Sequence, residues 1–393
     1  MRHLFVALNK KRSQSREAIT AIVKYGLNEI YGTLTEEEQI KLLLTLKEIT
    51  EGRIFVEYEY SVAVRRLTEI QLQHGNLEEA AKLVQDIQIE TFGSLERAYK
   101  VEYILFQMKT LLRKGDYIRV LIVSNNINRR HLNEEGLEKL KFDFFTQMIR
   151  YHLHEEKFID VSKSYKTLYD FIKEIEIKLQ SNVNNQIGKN SLENITDLLR
   201  TTNKNLLFVN YVMFLSICPP VLETKNMLNE LNLFYKKDLE ENQEMHRIVK
   251  QRLSDEIVFI SNNFLEAFLQ YPIFANDTID NPNAEKQFKL FRKYWVQHDL
   301  IIFQKYFSQI KLQRISEMIG CAIPEVESEL ADMVINGYIY AKINRIASTV
   351  NFRKRQDTGE KLDDLNHDLS KMLEKLENTC HLIHKENLKY DIK

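Results

Sequence analysis

Two histidines and a serine have a spacing close to that of a known metal-binding motif. His152 and His154 are one residue apart, and Ser162 follows after seven intervening residues. Metal-dependent deubiquitinases combine this spacing with an aspartate after two further residues. Here that position is Tyr165, and a phenol does not replace a carboxylate as a zinc ligand at neutral pH. The histidines also fall at a turn, where surface histidines are common, so we predict no metal site here.

Cys380, His381 and His384 form a second set of potential ligands. On a helix, His381 and His384 share a face, whereas Cys380 aligns with apolar residues. We therefore expect a buried cysteine beside surface histidines. The sequence lacks a G-x-x-x-x-G-K loop, a G-x-G-x-x-G turn, an H-E-x-x-H helix and a G-x-S-x-G motif. The prediction is a protein that is not an enzyme, with no catalytic residue, cofactor or metal.

The composition argues against several classes of partner. Lys and Arg number 55 and Asp and Glu 56, so the formal net charge is −1 and gives no reason to expect nucleic acid or an anionic membrane. The longest apolar run, residues 206–218, is too short for a bilayer and predicts a buried helix. The three cysteines are far apart and odd in number, which indicates no disulfide framework. A reducing compartment, cytoplasm or nucleus, fits best.

An internal repeat organises the first half of the chain. The segment 75–80 recurs at 115–120 and, less well, at 156–161, with offsets of 40 and 41 residues. Each repeat predicts a helix, a turn and a second helix. Glycine at the turn ends the first helix, and the Asn or Asp that follows caps the second. A helix pair with one apolar face cannot bury that face alone, so we predict a solenoid of stacked, TPR-like pairs.

Helical spacing of apolar residues supports this reading. In the first helix of the second repeat and the second helix of the third, they recur every three or four residues. These residues are Val101, Ile104, Leu105, Met108, Leu111 and Leu112, then Phe158, Val161, Tyr165, Leu168 and Ile172. The middle of the chain is less regular. It reads as a loop over 181–197, a helix over 198–217 stopped by Pro219 and Pro220, more helices to 271, and a polar linker over 275–285.

The pattern changes after residue 288. It predicts a helix over 291–307, a short strand over 308–312, a helix over 313–319 ended by Gly320, and a third helix from Pro324 to Gly337. Residues 338–343 and 349–352 are typical of a small β-hairpin. Helix, strand, helix, helix and hairpin is the order of a winged helix.

The chain ends in a long predicted helix with a heptad seam. Its apolar residues follow alternating steps of three and four, with Thr379 or Cys380 in the one gap. They are Leu362, Leu365, Leu369, Met372, Leu376 and Ile383. A single helix has nothing of its own to cover such a seam.

Helical repeats, a winged helix and a terminal helix form the layout of PCI-domain proteins, and several segments sharpen the resemblance. They are similar to one PCI subunit of the 26S proteasome regulatory particle lid, from about Leu8 to the end and most weakly from 182 to 285. The segments are 90–95, 100–108, 116–119, 139–142, 334–336, 339–347, 350–352 and 379–386. The chain begins about where the family's second or third helix would lie, so the resemblance implies nothing about the family's N-terminal arm.

The resemblance implies an all-α repeat solenoid, then a winged-helix PCI domain with a small hairpin, and a long terminal helix. We expect N-terminal helices over 1–50, the solenoid over 51–287, the winged helix over 288–356 and the bundle helix over 360–393. In this family such subunits associate through winged-helix edges and gather their terminal helices in one bundle. The implied function is a non-catalytic lid scaffold in ubiquitin-dependent protein degradation. It would contact the lid deubiquitinase, which it would help to position, and the α ring of the core particle.

The predicted interface residues belong to the winged-helix edge and to the seam. The edge would add to a neighbouring subunit's sheet. On or near it we expect Tyr338, Ile339, Tyr340 and Ala341, or the opposing strand with Val350 and Phe352. The alternative within the scaffold class is a PCI subunit of the COP9 signalosome or of a translation initiation factor complex.

Nucleic-acid binding is the alternative from another class, because many winged helices place their third helix in the major groove. Here that helix carries Glu325, Glu327, Glu329 and Asp332 and no Lys or Arg, so phosphates would be repelled. The basic set Arg345, Arg353, Lys354 and Arg355 lies on or after the wing, where we expect a solvated face or a match to an acidic neighbour.

Overall fold

The computed structural model describes residues 15–134, 136–181, 203–258, 284–352 and 358–389. Within these, the chain divides into two compact units. The first unit contains the described residues up to 218 together with 222–250 and 284–291, and the second contains 219–221, 251–258 and those from 292 on.

Helices form most of the first unit. In chain order they are α1 (Arg16–Tyr25), α2 (Glu36–Thr50), α3 (Glu57–Gln73), α4 (Leu77–Gln85), α5 (Arg97–Lys114), α6 (Tyr117–Asn125), α7 (Glu138–His154), α8 (Phe158–Ser181), α9 (Lys204–Ser216), α10 (Leu222–Phe234), α11 (Lys236–Glu241) and α12 (Gln243–Leu253). A π-helical turn, Gly26–Ile30, follows α1, and 3₁₀ turns occupy Tyr31–Thr33, Ile54–Val56, Ile89–Thr91 and His131–Asn133.

The three predicted repeats are the helix pairs α3–α4, α5–α6 and α7–α8, and their turns share one backbone solution. Gly75, Gly115 and Glu156 have φ angles of 77°, 84° and 56°. The next amide, at residue 76, 116 or 157, donates in each case to the carbonyl five residues earlier, at 2.9, 3.1 and 3.0 Å. This closes the C-terminus of the first helix with a left-handed cap. The weak third repeat therefore has the same geometry as the others without the glycine.

Capping of the second helices is only partly as predicted. The Asp116 side chain accepts a hydrogen bond from the amide of Arg119 at 3.3 Å, which caps α6. Asn76 does not cap α4, because its side-chain oxygen accepts no hydrogen bond from the amides of that helix. Its Nδ2 donates to Gln71 Oε1 of the preceding helix at 3.0 Å. The prediction that Asn76 caps α4 is therefore wrong.

The predicted apolar faces build the core of the first unit. Ile104, Met108 and Leu111 of α5 are buried in one cluster with residues of α3, α4 and α7. In α8, Val161 and Leu168 are buried, and Tyr165 stacks on Phe214 of α9 with ring centroids 5.5 Å apart. The spacing prediction is confirmed at both helices.

The middle of the chain agrees with the predictions at α9 to α12, but Asn203 is an extended residue before α9 and 254–258 are not helical, so both predicted helical ranges are wrong at those described residues. Helix α9 carries the long apolar run and is buried on nearly all sides, as predicted. The predicted loop over 181–197 and the first residues of the helix predicted from 198 lie outside the described residues, apart from Ser181, which ends α8. The predicted helices continue through α12, and the part from 259 to 271 also lies outside.

The second unit contains a winged helix with a short three-stranded sheet. Its elements are α13 (Ala284–Tyr306), which begins in the first unit, then β1 (Gln309–Lys311), α14 (Leu312–Ile319), α15 (Ile323–Ile335), β2 (Lys342–Asn344) and β3 (Thr349–Asn351). Helix α13 starts seven residues before the predicted residue 291, so Ala284 and Glu285 are helical rather than linker; the rest of that linker, 275–283, lies outside the described residues. The predicted order of helix, strand, helix, helix and hairpin is confirmed.

The sheet places β3 between its two antiparallel neighbours. Ile310 and Ile343 lie opposite Val350 from the two sides. Val350 is fully buried together with Trp295, Phe303 and Leu330, so the small sheet closes the core of this unit. After it, α16 (Thr358–Lys389) runs for 32 residues as one helix.

Candidate protein-interaction surfaces

The seam of α16 is exposed along its whole described length. We use "the seam" for its six apolar positions, whose relative exposures are Leu362 64%, Leu365 58%, Leu369 50%, Met372 60%, Leu376 50% and Ile383 55%. Leu373 extends the same stripe at 64%. Monomeric proteins rarely expose a continuous apolar stripe of this kind, because its burial is strongly favourable. The seam has the chemistry of one helix of a bundle.

Cys380 lies in this stripe and is exposed, so the prediction of a buried cysteine is wrong for the chain by itself. The step of three after Leu376 falls on the neighbouring Thr379, and no described residue of the chain covers Cys380. His381 lies beside Glu377 on the solvent side, with Nε2 and Oε1 3.9 Å apart. Cys218 and Cys321 are both buried.

The predicted edge residues before β2 are not on a strand. Residues 338–341 precede the strand, which begins only at Lys342. The reason is the end of α15: Gly337 has a φ of 71°, and the Tyr338 amide donates to the Met333 carbonyl at 2.9 Å. This left-handed cap occupies Tyr338, and Ile339 turns into the core. Tyr340 and Ala341 are half-buried.

The residues predicted on the opposing strand form the centre of the sheet rather than its edge. Thr349–Asn351 is bonded on both sides, and Val350 and Phe352 are buried. The edge placement of these residues is therefore wrong. Within the described chain, β1 and β2 are the strands with one side unpaired, and Gln309, Lys311, Lys342 and Asn344 on them are exposed.

The acidic face of α15 is used for ion pairs inside the second unit. Arg292 Nη2 lies 3.2 Å from Glu325 Oε2, and Lys293 Nζ lies 2.7 Å from Asp332 Oδ2. Glu329 accepts from Gln297 at 2.9 Å.

The wing adds one more pair to this set. Arg345 Nε lies 2.5 Å from Glu327 Oε1, so Arg345 is matched to an acidic neighbour of its own chain. The other basic residues of the set, Arg353, Lys354 and Arg355, lie outside the described residues. The carboxylates of α15 thus hold α13 and the wing in place.

The histidines in the last turn of α7 are held by packing. His154 stacks on Tyr117 with ring centroids 3.4 Å apart, and Ser162 is buried and donates to the carbonyl of Tyr211 at 3.4 Å. Burial lowers the pKa of His152 below its ordinary value. Among the residues that the structure describes, no group of three or more His, Cys, Asp or Glu side chains is arranged to hold a metal ion. No helix in the described ranges is long and apolar enough to cross a membrane.

Two family models match separate stretches of the chain. The family model described as "PSMD12/CSN4, N-terminal" matches residues 1–176, and the model described as "PCI domain" matches residues 272–354. The second match covers the winged helix described above.

The winged helix is therefore similar to PCI domains, and the N-terminal part of the chain is similar to the PSMD12/CSN4 family.

Curated relatives are similar to the chain along nearly its whole length. It is 28% identical to the 26S proteasome non-ATPase regulatory subunit 12 of Dictyostelium discoideum, over 98% of this chain and 80% of the relative. It is 27% identical to homolog A of that subunit from Arabidopsis thaliana, over 97% of this chain and 86% of the relative. It is also 27% identical to the 26S proteasome regulatory subunit RPN5 of Saccharomyces cerevisiae, over 98% and 81%.

In the winged helix, sequence reasoning missed the unpaired side of β1, and it started the first hairpin strand at 338 instead of at Lys342. One signal was available for β2. Asn336-Gly337 marks a helix end, and a left-handed cap uses the following residue as well, so a strand starting at 338 conflicts with it. The pairing of β1 with β3 joins residues about 40 positions apart, and local sequence patterns do not encode it.

Proposed function

We propose that the chain is a non-catalytic structural scaffold subunit of the 26S proteasome regulatory particle lid. The observation that carries this is the exposed seam of α16, together with relatives that are named as 26S proteasome regulatory subunits. No described residue of the chain covers the apolar stripe of this 32-residue helix, and helices of other chains can bury it. In this proposal, α16 contributes one helix to a bundle shared by lid subunits.

The winged helix supplies the second contact. Strands β1 and β2 each have one unpaired side, which can accept a strand of a neighbouring PCI subunit. In this arrangement the predicted residues 338–341, Val350 and Phe352 support the edge from behind, and main-chain groups of the edge strands make the contact. Tyr338 is the most exposed of the six side chains.

The remaining contacts of the proposal follow from the family. The chain would help to position the lid deubiquitinase and would contact the α ring of the core particle, in support of ubiquitin-dependent degradation in cytoplasm and nucleus. Nucleic acid is not a partner in this proposal, because the third helix of the winged helix presents carboxylates and no Lys or Arg.

A second candidate is a PCI scaffold subunit of the COP9 signalosome, because the N-terminal family model carries the name of a subunit of each complex, PSMD12 and CSN4. Affinity purification of the chain with an N-terminal tag, followed by mass spectrometry, separates the two candidates. We expect lid subunits in stoichiometric amounts. Recovery of signalosome or initiation-factor subunits in place of the lid would reject the lid assignment.

A further inference from the structure

A groove runs between the first helices of the first two repeats. It lies within the first unit between α3 and α5 and encloses about 400 Å³. Leu72 and Phe106 supply its apolar walls, and the polar groups are Arg65, Glu69 and Gln73 of α3 with Lys109 and Arg113 of α5. Neither the seam nor the sheet edges include any of these residues.

The positive charges in this groove are of two kinds. Arg65 is neutralised inside the unit: its guanidinium lies 2.8 Å from Glu102 and 3.3 Å from Glu69, and it covers the ring of Phe106 at 5.3 Å. Lys109 and Arg113 are exposed and make no ion pair or hydrogen bond with any described residue. They are four positions apart on α5, which places them about 6 Å apart along one helix face.

The field of Lys109 already acts on one carboxyl group. Burial raises the pKa of Asp143 on α7, and the positive charges of Lys139 and Lys109 oppose that rise. Lys109 and Arg113 form no ion pair with a described residue, so a carboxylate brought into the groove from outside would be their first ion-pair partner. The groove therefore contains two exposed cationic side chains that form no ion pair with a described residue.

We propose that this groove binds an acidic peptide segment of a partner protein. Two carboxylates about 6 Å apart, as on residues i and i+4 of a helix, would meet Lys109 and Arg113. An apolar side chain of the segment would contact Leu72 and the exposed part of Phe106, and the Gln73 amide would hydrogen-bond to its backbone.

The groove suits a peptide better than a nucleic acid. Nucleic-acid strands need a continuous basic surface and open aromatic faces for stacking. Here Glu69 interrupts the basic surface and is exposed, and Arg65 already covers the ring of Phe106. Discrete carboxylates separated by apolar side chains avoid both obstacles.

Fluorescence anisotropy with the full chain tests the proposal. The probe is a labelled 12-residue helical peptide with glutamates at i and i+4 and leucines between them. A second peptide has glutamine in place of each glutamate, and a 12-nucleotide single-stranded DNA serves as a different polyanion. The variant is Lys109→Ala with Arg113→Ala. Lys114→Ala is the matched control, because Lys114 is an exposed cation in the same helical turn but does not line the groove.

The expected result is saturable binding of the acidic peptide at 50 mM salt, weakened about tenfold in the double variant and unchanged within twofold in Lys114→Ala. Circular dichroism should show equal helicity for all three proteins, since the replaced side chains are exposed. No saturable binding, equal binding of the glutamine peptide, equal weakening in Lys114→Ala, or tighter binding of the DNA would each overturn the proposal. If the double variant does not fold, the single substitution Lys109→Gln, with an expected loss of about threefold, decides in its place.

Discussion

Replacing three seam residues by aspartate should abolish assembly and leave the free chain intact. The change is Leu365→Asp, Leu369→Asp and Met372→Asp in one variant. These side chains are 50% to 60% exposed in the chain alone, so their substitution removes little from its own core. We expect the free energy of unfolding of the repeat and winged-helix units to change by less than about 0.5 kcal/mol.

The loss in the assembled state is much larger. Full burial of a Leu or Met side chain contributes about 1.5–3 kcal/mol, and the exposed half that a bundle would cover contributes about 1 kcal/mol or more. Three such losses total about 3–5 kcal/mol, and each carboxylate left in an apolar bundle costs several kcal/mol more. Since about 1.4 kcal/mol corresponds to tenfold in affinity, the variant should bind its partners at least about 10⁴-fold more weakly.

The assay is co-purification of the variant with lid subunits, read by size-exclusion chromatography. The matched control is His367→Asp, Ser370→Asp and Asn378→Asp, which adds the same number of aspartates to the opposite, polar face of α16. The control should assemble like the unchanged chain. If the seam variant also assembles normally, the bundle role of α16 is refuted.

Three further predictions concern stability. Gly115 has a φ of 84°, so Gly115→Ala should destabilise the chain by about 1–2 kcal/mol in urea denaturation. Gly93→Ala, at a glycine without positive φ, should have a small effect. Equal effects of the two substitutions would contradict the role of the turn. Glu156→Gly should stabilise the chain by about 0.5–1 kcal/mol, because glycine adopts the left-handed backbone at this position with less strain. A loss of stability would show that the contacts of the Glu156 side chain contribute more than the strain costs. Burial, together with the charges of Glu51 and Asp86, raises the pKa of Tyr60 from 10.0 to about 12. The stabilisation of the fold by the neutral Tyr60 hydroxyl is therefore complete below pH 10 and is lost as the pH rises towards 12. Tyr60→Phe should therefore reduce the stability lost between pH 9 and pH 11 by about 1 kcal/mol, and an unchanged loss would contradict the raised pKa.

The sequence alone predicts the helical parts of this fold well because their signals are local. The recurrence of 75–80 at 115–120 and 156–161 identifies turns that share the same capping hydrogen bond. The seam follows from heptad spacing in the same way. Even the weak third repeat is readable, although glutamate replaces the glycine.

The sheet is where local signals fail. Alternation in Tyr338-Ile339-Tyr340 resembles a strand, but the helix cap at Gly337 takes those residues into a turn. The central position of β3 depends on β1, which precedes it by about 40 residues, and no local pattern reports that pairing. The charges of the groove could not be predicted from local patterns either, because only the packing of α3 beside α5 brings Glu69 and Arg113 to one surface.

The most direct test of the scaffold account is the reactivity of Cys380. It is the one exposed cysteine of the three and lies between the seam residues Leu376 and Ile383, whereas Cys218 and Cys321 are buried. Maleimide labelling followed by mass spectrometry measures its rate in the free chain and in the assembled lid. The account predicts rapid labelling of Cys380 in the free chain and at least about a hundredfold slower labelling after assembly, since a bundle would exclude the reagent. Equal rates in the free and assembled states would contradict it.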